Sequence, residues 1–107
     1  MLIGQTFYKG LVAYTEWAPR QGNSGIFGVE VVDATAAVTL AVQVEHRNRT
    51  DTSASNAGSA LNQNGAGIKE QECADLKEFW RYKVTVGGTN SYDWTHMRLL
   101  QPMWRPN

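Results

Sequence analysis

The amino-acid sequence predicts an all-β fold, a small antiparallel β-sandwich of about five to seven strands. Between Val38 and Arg47, apolar and polar residues alternate without interruption, and a second run of the same kind covers residues 79–86. Alternation with a period of two is the pattern of a strand that is buried on one face. Because burying one face of a lone sheet does not offset the entropy lost by ordering its backbone, we expect the strands to pack as two layers.

The N-terminal third predicts two strands with a loop between them. Residues 6–14 are rich in aromatic and β-forming side chains and are interrupted by Gly10, which indicates a first strand with a bend or bulge at the glycine. Residues 16–25 contain a proline and two glycines, so they are expected to form a loop. Residues 26–33 alternate again and predict the second strand.

The connection that follows is short. Residues 33–37 have the length that hairpins use, and residues 38–47 form the clearest strand in the chain. We therefore expect strands 26–33 and 38–47 to pair antiparallel in one sheet.

The segment 48–67 differs in character from the rest. It consists of small and polar residues with a single large apolar side chain, Leu61. Such a stretch buries too little apolar surface to offset its own ordering, and loops of this length in compact domains are usually functional or mobile. The sequence predicts a flexible, exposed arm that becomes ordered against a neighbouring protein.

The C-terminal third predicts further strands and a tail. Residues 68–77 fit a short strand or turn better than the alternative, a helix of about two turns. Residues 78–86 form a strand that ends in a glycine-rich turn, and residues 92–101 resume extended structure. The tail 102–107 contains two prolines, which lack the backbone N–H of a sheet ladder, so we expect it to lie outside the sheets.

Composition narrows the function classes. The chain has 107 residues, which fits one domain, and its ten basic and ten acidic residues cancel. A neutral chain has no summed field to attract nucleic acid or an anionic bilayer, so neither is expected as a partner. No apolar run approaches the roughly 20 residues of a membrane span, and no secretory signal precedes the first strand. A single cysteine, which has no internal disulfide partner, fits folding in a reducing cytoplasm.

Candidate catalytic or metal-binding residues are few. His46, His96, Cys73 and Asp93 are the only set resembling a metal or cysteine–histidine site, and none of them stands at the short paired spacing that such sites use. A buried cysteine and two strand histidines explain them better. We therefore expect no enzymatic activity, no metal and no cofactor.

The aromatic residues are the stronger signal, because the chain has four tryptophans and four tyrosines. Exposed rings are used either as stacking platforms for sugars or, together with arginine, as anchors of protein interfaces. Two function hypotheses follow: a protein-binding structural module and, as the alternative, a carbohydrate-binding or adhesion module. We favour the first, because the aromatics at the domain edges lie beside arginines. The predicted partner-binding residues are Phe7, Tyr8, Trp17, Arg20, Leu61, Trp94, Arg98, Trp104 and Arg105.

Several segments together resemble a known class of proteins. They are Phe7-Tyr8, Trp17-Ala18-Pro19-Arg20, the region from Phe27 to Val44, residues 76–82 and residues 94–104. With these segments the chain is similar to small proteins encoded among the virion genes of tailed bacteriophages.

The resemblance implies a cement, decoration or other structural protein of the phage particle, made in the host cytoplasm and located in the virion. Such a protein is a β-sandwich present in many copies and has no catalytic residues. Its implied partners are the major capsid protein or another virion protein and further copies of itself. We expect residues 1–7, the arm 48–67 and the tail from Pro102 to make these contacts.

Overall fold

The computed structural model describes residues 4–105 and confirms the predicted fold class: two antiparallel β-sheets packed face to face, with no helix among these residues. No helix in the described range has the length and apolar character needed to cross a membrane. The strands are β1 Gln5–Tyr8, β2 Val12–Tyr14, β3 Ala18–Pro19, β4 Ser24–Ala34, β5 Val38–Arg47, β6 Ser55–Asn56, β7 Leu61–Asn62, β8 Gly67–Cys73, β9 Phe79–Gly88, β10 Trp94–Leu99 and β11 Met103–Arg105.

Each sheet is effectively four strands wide. In the first sheet, called sheet A, β10 lies between β1 and β4, β11 continues along β4 where β10 ends, and β8 pairs with the other edge of β4. In sheet B, β9 and β5 are central; β2 and β3 follow each other along β9, and β6 and β7 follow each other along β5.

The predicted pairing of strands 26–33 and 38–47 is wrong, because β4 and β5 belong to different sheets. The connection between them is held instead by the loop before β10. The Thr35 hydroxyl donates to the Asp93 carboxylate at 2.9 Å, and the Thr35 backbone N–H donates to the carbonyl of Trp94 at 3.0 Å. These bonds turn the chain from one layer to the other, where a hairpin would have kept it in the same layer.

Gly10 makes a second crossing between the layers. It has a φ of 93°, a conformation that favours glycine, and it separates β1 in sheet A from β2 in sheet B. The predicted bend at this residue is therefore confirmed, and it is sharp enough to divide the predicted first strand into two.

The core lies between the sheets and comes from alternate residues of the long strands. It has the two predicted stripes of β5 and β9, together with Phe27, Val29 and Val31 of β4 and Met97 and Leu99 of β10. An edge-to-face aromatic cluster at one end of the core joins Phe27, Trp80, Tyr82 and Trp104.

Tyr82 also joins the two sheets by hydrogen bonds. Its side chain starts from β9, is fully buried, and reaches the place where β10 gives way to β11. There the Gly28 N–H donates to the Tyr82 hydroxyl at 3.1 Å, and the hydroxyl donates to the Leu100 carbonyl at 3.0 Å. One phenol thus satisfies two backbone groups that the irregular ladder leaves without strand partners.

The segment 48–67 is largely exposed, as predicted, but it lies along the edge of sheet B where the sequence predicts a free arm. Its strands β6 and β7 pair with β5, and Leu61 is only 1% exposed because its side chain enters the core. The Gln43 side chain donates to the Gly58 carbonyl at 3.1 Å, and the Cys73 thiol donates to the Ala57 carbonyl at 3.2 Å. Backbone pairing and polar side-chain contacts therefore hold this segment against the sandwich, although it has few apolar side chains to bury.

Two other predictions concern the C-terminal third. The strand reading of residues 68–77 is confirmed by β8, whereas the expectation that the tail lies outside the sheets is wrong. Residues 103–105 pair with β4 because they lie between the prolines and retain their N–H groups. Pro106 and Asn107 lie outside the described residues, as do Met1, Leu2 and Ile3 of the predicted N-terminal contact.

Candidate binding surface

A cluster of aromatic and cationic side chains covers the outer face of sheet B. We call it the aromatic–cation surface; its members are Tyr14, Trp17, Arg47, Arg81 and Lys83. They lie together because β2 pairs with β9 and β9 pairs with β5, so their outward positions form one continuous face. Tyr14 is 51% exposed, which is high for a ring packed against its neighbours.

Arg81 is the centre of this surface. Its guanidinium carbon lies 4.3 Å from the ring centroid of Tyr14 and 4.3 Å from that of Trp17. Two of its nitrogens, Nε and Nη2, each approach Glu45 Oε1 at 2.9 Å. Cation–π contacts and a charge-assisted bond therefore fix the guanidinium and both rings in place.

Arg47 and Lys83 extend the surface to either side. The Arg47 guanidinium lies 5.1 Å from the Trp17 ring, and the Lys83 ammonium lies 5.9 Å from the Tyr14 ring. Arg47 Nε is buried and has no hydrogen-bond partner among the residues that the structure describes. The outward residues of β5 and β9 include one carboxylate, Glu45, and three cations, so these two strands give this face a formal excess of two positive charges.

The segment that carries the two rings is held by backbone bonds to β9 and to the residue before it. The Thr15 N–H donates to the Tyr82 carbonyl at 3.0 Å, and the Tyr82 N–H donates to the Thr15 hydroxyl at 2.9 Å. Further along, the Arg20 N–H donates to the Glu78 carbonyl at 3.0 Å. The rings are thus anchored on both sides, which limits the entropy lost when a partner binds.

The nine predicted contact residues do not form one surface. Trp17 alone belongs to the aromatic–cation surface. Tyr8 and Trp94 are register partners on the outer face of sheet A, where Tyr8 is 62% exposed. Phe7 points inward and packs against the core, and Leu61 is part of the core, so the prediction of Leu61 as a contact residue is wrong.

The predicted arginines have structural partners in the chain. Arg98 pairs with Glu30, and Arg105 pairs with Glu72 at 3.2 Å, both on the outer face of sheet A. The Arg20 side chain donates to Asn23 Oδ1 and to the carbonyl of Leu76, which closes the loop before β4. Trp104 is half-buried in the aromatic cluster, so most of its ring serves packing within the chain.

A shallow apolar groove of about 500 Å³ opens on the side of the sandwich between the edge strands β1 and β2. Residues 6–11 and Ala13 line it. Its mainly apolar lining offers space for an apolar side chain.

The four residues weighed as a catalytic or metal set are dispersed by the fold. No group of three or more histidine, cysteine, aspartate or glutamate side chains within residues 4–105 is arranged to hold a metal ion. Cys73 is buried, and desolvation followed by the charge of Glu72 raises the pKa of its thiol to about 11. A thiol with this pKa is a poor nucleophile at neutral pH.

His46 and Asp93 have structural partners as well. The Lys77 N–H donates to His46 Nδ1 at 3.2 Å, and burial, followed by the charge of Lys77, lowers the pKa of this imidazole. The Asn90 backbone N–H, followed by the Thr35 hydroxyl, holds the pKa of the Asp93 carboxyl below its ordinary value. Both groups stabilise turns.

Comparisons with known proteins identify no relative: no protein-family model, no curated protein and no solved structure matches this chain. The resemblance to bacteriophage virion proteins therefore stays a prediction.

Four members of the aromatic–cation surface, Tyr14, Arg47, Arg81 and Lys83, are absent from the predicted contact residues. A signal for three of them was present in the alternation itself, because Arg47, Arg81 and Lys83 occupy the outward positions of the two clearest strands. Finding Tyr14 and Trp17 beside them required knowing that the first strand crosses into sheet B at Gly10.

Proposed function

We propose that this protein is a non-enzymatic structural component of a virus particle, which binds the capsid protein or another virion protein through its aromatic–cation surface. The observation that carries the proposal is the composition and rigidity of that surface. Tryptophan, tyrosine and arginine dominate the energetics of protein interfaces, and here all three occur in one fixed cluster on a sheet face.

The arrangement of Arg81 favours a protein partner over a sugar. Stacking platforms for sugars present open ring faces, whereas a guanidinium already lies over both Tyr14 and Trp17. A guanidinium between rings leaves ring edges and N–H donors for backbone carbonyls and carboxylates, which are the groups that polypeptides offer.

A carbohydrate-binding role is the second candidate, and one observation supports it. Asn56 and Asn62 lie on the same outer face as the half-exposed ring of Tyr14, three strands away at the opposite edge of sheet B. Exposed amides with an aromatic ring are a common means of holding sugar hydroxyls.

The proposed function is tested on particles. Virus particles from the source of the gene are purified, and the chain is quantified in them by mass spectrometry. We expect many copies per particle, and fewer copies when Trp17→Ala and Arg81→Ala are introduced together. The matched control is Tyr92→Ala, which removes an exposed ring from a turn away from this surface. Absence of the chain from particles contradicts the proposal.

The alternative is tested on the isolated protein. Tryptophan fluorescence is titrated with a panel of glycans, because a ring that stacks on a sugar changes its emission. We expect no saturable change. A change that saturates and is lost in Trp17→Phe favours the carbohydrate-binding role.

A further inference from the structure

The two outer faces of the sandwich carry opposite charge. On the outer face of sheet A, which we call the acidic surface, the outward charged residues are Glu30, Asp33, Glu70, Glu72, Arg98 and Arg105. Four carboxylates stand against two guanidiniums, a formal excess of two negative charges. This excess equals the positive excess of the outward residues of β5 and β9, although the whole chain is neutral.

On each face, ion pairs within the chain account for the remaining charges. Arg98 pairs with Glu30 and Arg105 with Glu72 on the acidic surface, and Arg81 pairs with Glu45 on the opposite face. Within residues 4–105, these pairs leave Asp33 and Glu70 without a cationic partner on one side, and Arg47 and Lys83 without an anionic partner on the other.

The spacing of these four charges matches. Lys83 is the register partner of Gln43, four residues before Arg47 on the neighbouring strand. With about 3.3 Å per residue and about 4.8 Å between strands, the two cations start about 14 Å apart. Glu70 is the register partner of Gly28 on β4. Asp33 lies five residues after Gly28 on the same strand, but the bulge in β4 takes up one of them, so the two positions are four ladder steps apart. The two carboxylates therefore also start about 14 Å apart.

The faces also match in area and in apolar content. A face four strands wide and as long as the ten residues of β5 covers roughly 600 Å², so two such faces bury roughly 1,200 Å², the lower limit of specific interfaces. Ile68 and Met103 are more than half exposed on the acidic surface, as are Val12 and Tyr14 on the opposite face. Each face thus offers apolar contact between its charges.

We propose that copies of this chain associate head to tail, the acidic surface of one copy on the aromatic–cation surface of the next. Asp33 and Glu70 of one copy then neutralise Arg47 and Lys83 of its neighbour. The inference rests on the proposed function only in taking the aromatic–cation surface as a protein contact. Because the two contacting faces differ, a series of copies has a free acidic surface at one end and a free aromatic–cation surface at the other, so assembly continues beyond a dimer unless a ring closes.

Sedimentation velocity of the full chain tests this proposal. We expect species larger than a dimer that increase with protein concentration. Raising the salt from about 50 mM to about 500 mM is expected to weaken the association on the order of tenfold, since exposed charge pairs are screened. A monomer at every concentration, or a dimer that never grows, overturns the proposal.

Charge exchange makes the test specific. Arg47→Glu with Lys83→Glu makes both faces acidic, and Asp33→Lys with Glu70→Lys makes both faces basic, so each double variant alone is expected to be monomeric. An equimolar mixture restores complementary faces and is expected to recover the large species. Recovery also shows that both variants are folded.

The control is Lys9→Glu with Arg49→Glu, the same change in net charge placed outside both faces, and it is expected to assemble like the parent. If the mixture stays monomeric while circular dichroism shows two folded variants, the head-to-tail contact is wrong. The particle experiment is independent of this result. A chain that never self-associates but is incorporated into particles through Trp17 and Arg81 refutes the head-to-tail inference alone. A chain that self-associates but is absent from particles refutes the proposed function alone.

Discussion

The most direct perturbation of the fold is Tyr82→Phe, which removes one oxygen atom and keeps the ring. The hydroxyl of Tyr82 accepts from Gly28 and donates to Leu100, and both contacts lie between the sheets. The two hydrogen bonds contribute about 1 kcal/mol each, and the buried Gly28 N–H left without an acceptor costs about 1–3 kcal/mol. Because the surrounding structure relaxes in part, we expect the free energy of unfolding to fall by about 2–4 kcal/mol. For a chain of this length, the loss lowers the melting temperature by roughly 8–17 °C.

Urea unfolding followed by tryptophan fluorescence measures this loss. The midpoint is expected to fall while the denaturant dependence stays the same, since the surface exposed on unfolding does not change. Tyr8→Phe is the matched control, because it removes the same atom from an exposed ring, and it is expected to change stability by less than about 0.5 kcal/mol. Equal stability of the two variants refutes the view that this phenol joins the sheets.

Three further predictions concern the buried residues. Leu61→Ala is expected to lower the free energy of unfolding in urea by about 2–5 kcal/mol. Ile68→Ala, at an exposed site, is expected to lower it by less than about 1 kcal/mol, and equal effects contradict the burial of Leu61. The pKa of His46 is lowered in the folded state, so the stability that neutral His46 contributes is present above its ordinary pKa of 6.5 and is lost as the pH falls below that value. Unfolding free energies measured from about pH 8 to about pH 5 check this. The loss of stability is expected to remain in His96→Gln and to be smaller in His46→Gln. The pKa of Cys73 is raised from 9.0 to about 11, so the stability that the Cys73 thiol contributes is present below about pH 9 and is lost as the pH rises to about 11. Cys73→Ala is expected to flatten this part of the plot of unfolding free energy against pH. An unchanged plot contradicts the prediction.

The strands that could be predicted from the sequence are those in which one face is buried throughout. The alternation from Val38 to Arg47 gives β5 with its observed bounds, and the run that contains Trp80 and Tyr82 gives β9 and its inward residues. Alternation states which side chains share a face. It does not state which strand lies alongside, and for this reason β4 and β5 were assigned to one sheet although Thr35 turns the chain into the other.

The misplaced segments share a different cause. Residues 48–67 have almost no apolar side chains, and their order depends on backbone pairing with β5 and on contacts such as Gln43 with Gly58, which composition does not reveal. Residues 103–105 lie between two prolines, yet they retain the N–H groups that pair with β4. In both places, local propensity was overruled by long-range hydrogen bonds.

The candidate site was the least predictable part of the molecule. Counting tryptophans identified Trp17 but also Trp104, whose ring the core largely covers. What distinguishes Trp17 is the position of Arg81 and Arg47 beside it, and this proximity follows from the crossing of the chain at Gly10.

Hydroxyl-radical footprinting of Tyr14 tests the central claim, that the aromatic–cation surface is where this protein meets another polypeptide. Its oxidation rate is measured in the dilute chain and in purified particles, with Tyr92 in its exposed turn as the internal reference. We predict that the rate at Tyr14 falls several-fold on assembly while the rate at Tyr92 changes little. An unchanged rate at Tyr14 in assembled material would contradict the account.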